Sequence, residues 1–194
     1  MKLVCMGDSL TFGFKMTRKN SWPQIVEEGL KIKVKNKGIC GDTTGGMLSR
    51  FGQDVIDEKP EYVLIMGGSN DLASQLPETI IYSNLATMVY QAYHYRIQPI
   101  IGVPMLIIPS MAKQHLNLAG NLKEINKKLV LLRNWILYFG HKQQTEVIDF
   151  FNGFYDPVNK KGKEDLYIDG IHPTIEGNKQ MAQKVIEIMG KHIT

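Results

Sequence analysis

The stretch Leu3-Val4-Cys5-Met6-Gly7-Asp8-Ser9 indicates the fold class of this chain. Its four apolar residues have the length of a short strand, and a glycine followed by two polar residues ends the run. Residues 62–66 form a second continuous apolar run, which ends at a pair of glycines. Strands without a polar side are typical of parallel sheets, in which helices cover both faces.

Segments with helical periodicity alternate with the strand-like runs. Apolar residues spaced three and four apart predict helices over residues 21–30, 44–56, 80–95, 118–139 and 174–189. Strands are expected over residues 3–6, 31–34, 62–66, 97–103 and 146–150. The repeated β-α unit predicts an α/β protein built as a three-layer α/β/α sandwich. A length of 194 residues fits one domain spanning residues 1–194.

The composition excludes several classes of protein. An apolar fraction of 43% is too high for a disordered chain, and two cysteines are too few for a disulfide scaffold. The net charge of +4 comes from dispersed basic residues, so we expect no nucleic-acid binding. No apolar run reaches the ~18 residues of a membrane span, and the run after Met1-Lys2 is too short for a signal peptide. We expect a cytoplasmic protein without stable membrane association, with Cys5 and Cys40 as buried reduced thiols.

Four polar, glycine-rich segments follow predicted strands, where an open parallel sheet binds its ligands. Taken alone, each would fit an ordinary turn, but their common position predicts one active site. We interpret Asp8 and Asp71 within them as hydrogen-bonding partners of the loops. The segments are Gly7-Asp8-Ser9-Leu10-Thr11, Cys40-Gly41-Asp42-Thr43-Thr44, Gly68-Ser69-Asn70-Asp71 and Asp169-Gly170-Ile171-His172-Pro173.

Three side chains in these segments have the chemistry of nucleophilic catalysis. The hydroxyl of Ser9 is a poor nucleophile at neutral pH and needs a base to take its proton. His172 is the candidate base, because an ordinary imidazole titrates near pH ~6.5. Asp169 would accept a hydrogen bond from the other ring nitrogen and stabilise the imidazolium. Only two residues separate Asp169 from His172, so one turn can hold both, whereas Ser9 must be brought to them by the fold.

The four segments, in this order, resemble the sequence blocks of the SGNH hydrolases, also called GDSL esterases. The resemblance covers nearly the whole chain. The pair Trp22-Pro23 and the segment Gly41-Asp42-Thr43 are most similar to small single-domain bacterial thioesterases and lysophospholipases. The resemblance implies a flavodoxin-like, five-stranded parallel sheet in the order 2-1-3-4-5. It also implies a small acyl ester as substrate, with neither a metal nor an organic cofactor.

The resemblance further implies an oxyanion hole, the set of hydrogen-bond donors that stabilises the negative charge formed during acyl transfer. The implied donors are the backbone N–H groups of Ser9 and Gly41 and the side-chain amide of Asn70. A glycine allows a positive φ and a close approach to the substrate, and an asparagine supplies N–H donors that an aspartate lacks.

The apolar segment 104–111 follows the fourth predicted strand and suggests a substrate pocket. We expect Met105 and Leu106 to form one wall of an acyl pocket, with Leu72 and Leu76 opposite. The alternative is that this segment simply packs into the core.

Two other functions stay open at this point. The first is a carbohydrate O-acetyl esterase, which would use the same catalytic residues. The second is a non-enzymatic flavodoxin-like module, in which residues 7–11 bind an anion at a helix N-terminus. Against this second function, the sequence has no Gly-x-Gly-x-x-Gly motif and no Walker loop.

Overall fold

Five parallel strands form the central sheet of the computed structural model, which describes residues 1–116 and 121–192. Their order is β2-β1-β3-β4-β5, which confirms the predicted flavodoxin-like topology. The strands are β1 (Lys2–Gly7), β2 (Lys33–Gly38), β3 (Tyr62–Met66), β4 (Gln98–Val103) and β5 (Glu146–Asp149).

Helices connect the strands and cover both faces of the sheet. A short antiparallel hairpin of β6 (Tyr155–Asp156) and β7 (Lys161–Gly162) precedes the segment that contains Asp169 and His172. The helices are α1 (Ser9–Phe12), α2 (Trp22–Leu30), α3 (Thr44–Phe51), α4 (Ser69–Ala73), α5 (Glu78–His94), α6 (Pro109–Leu116), α7 (Leu122–Gln143), α8 (Phe150–Phe154) and α9 (Ile175–Met189).

Alternate residues of each strand pack into two separate cores, which confirms the three-layer sandwich. Val4 and Met6 of β1 point to the core shared with α3, α5 and α7. Leu3 and Cys5 point to the opposite core, shared with α2 and α9. All four side chains are fully buried, as expected for a strand covered on both faces. No helix of the described residues is long and apolar enough to cross a membrane.

The boundaries of several elements differ from the sequence prediction. The second strand lies at Lys33–Gly38 instead of residues 31–34, because it is an edge strand whose mostly polar residues hide the apolar alternation. The helix predicted over residues 44–56 is α-helical as far as Phe51 and then forms a π-helical turn over Gly52–Ile56. The long helix predicted from residue 118 is observed over Leu122–Gln143, and residues 118–120 lie outside the described residues.

Two predictions about buried residues have different outcomes. Cys5 is buried as expected, but Cys40 is exposed, so that prediction was wrong. Cys40 lies two residues beyond the end of β2, in the loop that leads to Gly41. Segment 104–111 packs largely into the core, with Met105, Ile107 and Ile108 each less than 10% exposed.

Candidate active site

The fold brings Ser9, His172 and Asp169 into one hydrogen-bonded chain. The Oγ atom of Ser9 lies 3.0 Å from Nε2 of His172. On the other side of the ring, Nδ1 of His172 lies 3.0 Å from Oδ2 of Asp169 and 3.1 Å from Oδ1. Ser9 and His172 are each 9% exposed, so both can meet a ligand, while Asp169 is fully buried. This is the geometry of a nucleophile, its base and the group that orients the base.

The turn from β1 into α1 presents the hydroxyl of Ser9. Asp8 is the N-cap of α1, and its carboxylate accepts a hydrogen bond of 2.9 Å from the N–H of Leu10. Gly7 is required just before this turn, because an added Cβ would lie 2.1 Å from the hydroxyl of Thr11. Ser9 therefore begins a helix at the carboxyl end of a central strand.

A single turn holds Asp169 and His172, as their spacing predicts. Oδ1 of Asp169 accepts hydrogen bonds from the backbone N–H groups of Ile171, at 3.1 Å, and His172, at 2.9 Å. The next helix, α9, begins directly after this turn, with Thr174 as N-cap accepting a hydrogen bond from the N–H of Gly177. The turn is thus fixed by its own carboxylate and by the start of a long helix.

The protonation equilibria of this pair suit a base at neutral pH. Burial lowers the pKa of His172, and the positive charge of Lys15 lowers it further, while Asp169 acts in the opposite direction. Burial alone would raise the pKa of Asp169, but hydrogen bonds from the backbone and ring of His172 outweigh it, so this pKa is lowered. The imidazole is therefore neutral and the carboxylate ionised at pH 7.

Three N–H donors lie around the loops beside Ser9. Within the described residues, neither the backbone N–H of Ser9 nor that of Gly41 has a hydrogen-bond acceptor. Gly41 has a φ of +80° and no atom within 4 Å of an added Cβ, so the space next to it is open. The side-chain amide of Asn70 donates a hydrogen bond of 2.8 Å to the carbonyl of Asp42 and lies 3.4 Å from Oδ2 of Asp8.

Asp71 and Asp8 are hydrogen-bonding partners of the loops, as predicted. The carboxylate of Asp71 accepts hydrogen bonds from the backbone N–H of Thr44, at 2.9 Å and 3.1 Å, and from its hydroxyl, at 2.5 Å. It therefore ties α4 to the start of α3. Burial raises the pKa of Asp8 to about 7, and the nearby carboxylates of Asp42 and Asp71 add to the shift.

Sequence reasoning missed Arg50, which braces the loop that carries Gly41. Its guanidinium contacts the carboxylate of Asp42 at 2.8 Å and that of Asp54 at 2.6 Å. It also donates a hydrogen bond of 3.1 Å to the carbonyl of Gly7, at the end of β1. The sequence indicates only one of these contacts, because Arg50 and Asp54 have the i, i+4 spacing of neighbours on a helix, whereas Asp42 and Gly7 do not.

Phe14 and Lys15 were also missed, and both lie against the Asp169–His172 pair. The ring of Phe14 packs on the imidazole of His172 with 4.4 Å between centroids. The ammonium of Lys15 lies 3.4 Å from Oδ2 of Asp169. No pattern in the sequence indicates either contact, because each joins residues more than 150 positions apart.

Three of the four predicted pocket residues lie in two different clusters. Leu72 is buried in the core shared with α7 and lines a cavity of about 360 Å³ together with Ile125. Leu106 is partly buried against the same core, whereas Met105 belongs to the opposite core. Leu72 and Met105 are therefore not facing walls of one pocket, and the acyl pocket stays a prediction.

Metal binding has no support in the described parts of the chain. Among residues 1–116 and 121–192, no group of three His, Cys, Asp or Glu side chains could hold a metal ion.

The chain is similar in sequence and in fold to several known proteins. Residues 5–180 match the model of the GDSL-like lipase/acylhydrolase family. An arylesterase of Vibrio mimicus is 29% identical over 99% of this chain and 90% of its own length. An acetylxylan esterase of Geobacillus stearothermophilus is 23% identical over 86% of this chain and 76% of its own length. The structure of a lipolytic protein of the G-D-S-L family from Desulfitobacterium hafniense superposes with a TM-score of 0.83, at 27% identity, over 96% of this chain and 98% of that one.

Proposed function

The chain belongs to the GDSL-like lipase/acylhydrolase family and is a carboxylic ester hydrolase, and from this premise we propose that it cleaves small carboxylic esters through an acyl-enzyme formed on Ser9. The observation that carries the proposal is the 3.0 Å contact between Oγ of Ser9 and Nε2 of His172. Asp169 contacts the opposite ring nitrogen. This arrangement lets the imidazole take the hydroxyl proton as the serine oxygen attacks.

The reaction proceeds in two acyl-transfer steps. Oγ of Ser9 attacks the ester carbonyl, and its proton passes to Nε2 of His172. The tetrahedral intermediate then expels the alcohol, which takes that proton, and the acyl group stays on Ser9. A water molecule, deprotonated by His172, then attacks the acyl-enzyme. The second tetrahedral intermediate expels Oγ of Ser9, which takes the proton back from His172, and the carboxylic acid is released. Asp169 stabilises the imidazolium in both steps and is not itself protonated.

The negative charge of each tetrahedral intermediate would be met by the backbone N–H groups of Ser9 and Gly41 and by the side chain of Asn70. The two backbone donors have no acceptor among the described residues, which leaves them free for a ligand. The amide of Asn70 donates to the carbonyl of Asp42 at 2.8 Å and to Oδ2 of Asp8 at 3.4 Å, so an oxyanion would replace the longer of these two contacts. One such donor contributes ~3 kcal/mol to transition-state stabilisation.

Burst kinetics with p-nitrophenyl acetate test this assignment. We expect an initial burst of about one p-nitrophenol per active site, because acylation by an activated aryl ester outpaces deacylation. Ser9→Ala should abolish the burst and the turnover. Ser74→Ala is the matched control, since Ser74 is exposed and lies outside the triad.

The proposal is wrong if a folded wild-type protein neither hydrolyses aryl esters nor reacts with a fluorophosphonate at Ser9. Labelling at Ser9 without turnover of p-nitrophenyl acetate would instead retain the nucleophile and restrict the substrate. Circular dichroism of each variant confirms that loss of activity is not loss of fold.

A sugar O-acetyl esterase is the second candidate function. It is favoured by the similarity to the acetylxylan esterase, which aligns with 86% of this chain. The two functions differ in the leaving group and in tolerance of longer acyl chains. Acetate release from acetylated xylo-oligosaccharides that exceeds the rate with aryl acetates would favour the sugar esterase, as would no activity on p-nitrophenyl octanoate.

We further propose that the cavity beside Leu72 accepts the acyl chain. Leu72 lines this cavity and lies two residues after Asn70 in α4, and its apolar side chain suits an acyl chain. Ile125 lines the cavity and is only partly buried, so it can be enlarged with little disturbance of the core. Ile125→Phe should lower kcat/KM for p-nitrophenyl octanoate severalfold more than for the acetate. Val130→Phe, at an exposed position of the same helix, is the control.

A further inference from the structure

The chain turns back after α1 and lays two residues over the Asp169–His172 pair. Gly13 ends α1 with a φ of +86°, and the N–H groups of Gly13 and Phe14 both donate to the carbonyl of Ser9, at 3.1 Å and 3.2 Å. Lys15 follows with a φ of +60°, which is unusual for a residue with a side chain. The segment 14–15, which we call the strap, is thus tied to the proposed nucleophile.

Each residue of the strap contacts one member of the pair. The ring of Phe14 packs on the imidazole of His172, with 4.4 Å between centroids and an angle of 42°. The ammonium of Lys15 lies 3.4 Å from Oδ2 of Asp169 and 5.4 Å from the centroid of the Phe14 ring. The strap therefore contacts both members of the pair.

The charges around His172 are few and can be named. The charged groups that face it are the carboxylate of Asp169 and the ammonium of Lys15, and its other neighbours are the hydroxyl of Ser9 and the ring of Phe14. Asp169 is 1% exposed in its side chain, whereas Lys15 is 46% exposed. A buried carboxylate is therefore shared between the imidazole and one cation at the protein surface.

We propose that Lys15 is a positioning residue of this hydrolase: its ammonium, 3.4 Å from Oδ2, competes with the imidazolium of His172 for the carboxylate of Asp169. The proposal rests on the proposed function, because it assumes that His172 is the base. A positive charge next to Asp169 partly cancels the stabilisation that this carboxylate offers to an imidazolium. The histidine then stays neutral, and able to act as a base, at lower pH than it would without Lys15.

The test compares the pH dependence of kcat/KM in four proteins, with neutral p-nitrophenyl acetate as substrate. Lys15→Met removes the charge but keeps an unbranched side chain with the same backbone preference. Lys15→Arg keeps the charge, and Lys19→Met removes an exposed lysine four residues further along the chain. At a pH on the acid limb of the wild-type profile, we expect kcat/KM of Lys15→Met to be about threefold lower than that of the wild type. At pH 8 the two should agree within about twofold, because His172 is then neutral in both.

The two control variants and added salt give the results that would support the proposal. Lys15→Arg and Lys19→Met should follow the wild-type profile, and 0.5 M salt should bring the wild type closer to Lys15→Met, because salt screens an exposed charge. An unchanged acid limb in folded Lys15→Met overturns the proposal. A raised KM for an anionic ester such as p-nitrophenyl hemisuccinate, with an unchanged acid limb, also overturns it and assigns Lys15 to substrate binding. Absence of turnover in the wild type would instead count against the proposed function.

Discussion

At the scale of single residues, the buried carboxyl group of Asp8 lowers the free energy of unfolding when it is ionised. Its side chain is almost fully buried, its pKa is raised to about 7, and two further carboxylates lie nearby. A carboxyl group whose pKa is higher in the folded than in the unfolded state opposes folding once it ionises. The loss of stability therefore grows as the pH rises from the unfolded pKa to about 7, and is constant above it.

Asp8→Asn should remove this pH dependence. Asparagine is an equally good N-cap, so α1 should persist. We expect the free energy of unfolding of the variant, relative to the wild type, to increase by about 2–3 kcal/mol between pH 5 and pH 8. Urea denaturation of both proteins at the two pH values measures it. The difference between the two proteins cancels the contribution of His172, whose lowered pKa acts in the opposite direction. If the difference in unfolding free energy between the two proteins does not change with pH, the pKa of Asp8 is not raised in the folded protein.

Asn70 is the proposed oxyanion-hole donor that mutation can remove. Asn70→Ala should lower kcat by ~10²–10³-fold with little change in KM, because the lost hydrogen bond forms only in the transition state. Asn70→Asp should be at least as impaired, since a carboxylate repels the oxyanion. Steady-state kinetics on p-nitrophenyl acetate distinguish these cases, and the Ser74→Ala protein again serves as control. A loss of less than fivefold in Asn70→Ala would remove this residue from the oxyanion hole.

The site residues that the sequence predicts share one property: each lies in a short motif of neighbouring polar residues and glycines. Ser9, Asn70 and the Asp169–His172 turn were readable because their chemistry and spacing are local. Arg50 and Lys15 were not, because their roles depend on contacts with Asp42 and Asp169 that only the tertiary structure creates.

At the scale of elements, long periodic segments were predictable and single turns were not. The helices α5, α7 and α9 lie where the periodicity placed them, to within a few residues. The helices α1 and α4 have four and five residues, which is too short for a 3.6-residue period to appear. These two short helices carry Ser9 and Asn70, so the least predictable elements are those that present the site.

The junction between α3 and α4 depends on Asp71. This carboxylate is fully buried and accepts the backbone and side-chain donors of Thr44, the first residue of α3. Its negative charge also lies at the positive end of the α3 helix dipole. Because Asn70 precedes Asp71 directly, the same contact fixes the amide next to the loop that contains Gly41.

Asp71→Ala should therefore weaken both the fold and the reaction. Two buried donors of Thr44 would lose their acceptor, at a cost of about 2–3 kcal/mol. For a domain of this size, we expect the Tm to fall by about 4–10 °C. Asp71→Asn keeps one acceptor oxygen and should lose roughly half as much. Thermal denaturation followed by circular dichroism measures both, and a Tm of Asp71→Ala within 1 °C of the wild type would contradict this account.

At the scale of the whole molecule, the site depends on joining the two ends of the chain. Ser9 and His172 are 163 positions apart, so their contact exists only when β1 and the turn before α9 are held together. A chain of buried hydrogen bonds through Trp22 and Asn178, which we call the relay, holds them together. The indole Nε1 of Trp22 donates to the carbonyl of Leu10 at 2.9 Å, and the backbone N–H of Trp22 donates to the side chain of Asn178 at 3.0 Å.

Asn178 completes the relay on the side of His172. It is fully buried in α9, and its amide donates to the carbonyls of Pro173, at 3.3 Å, and Thr174, at 3.0 Å. Asn178 thus contacts Pro173, which follows the proposed base His172. It also contacts Trp22, the first residue of α2, which binds the carbonyl of Leu10 next to the proposed nucleophile Ser9. Its role could not be read from the sequence, where it appears as a polar residue within an amphipathic helix.

Asn178→Ala tests whether this relay positions the two catalytic residues or only stabilises the fold. Loss of its hydrogen bonds should cost about 2–3 kcal/mol and lower the Tm by about 4–10 °C. If the relay also sets the distance from Ser9 to His172, kcat at 20 °C should fall about tenfold with KM unchanged, because misplacing a base slows proton transfer without weakening substrate binding. Lys179→Ala, the exposed neighbour on α9, controls for an effect of the helix itself. A variant with the lower Tm but wild-type kcat would restrict Asn178 to stability and leave the geometry of the pair to the strap and to the turn around Asp169.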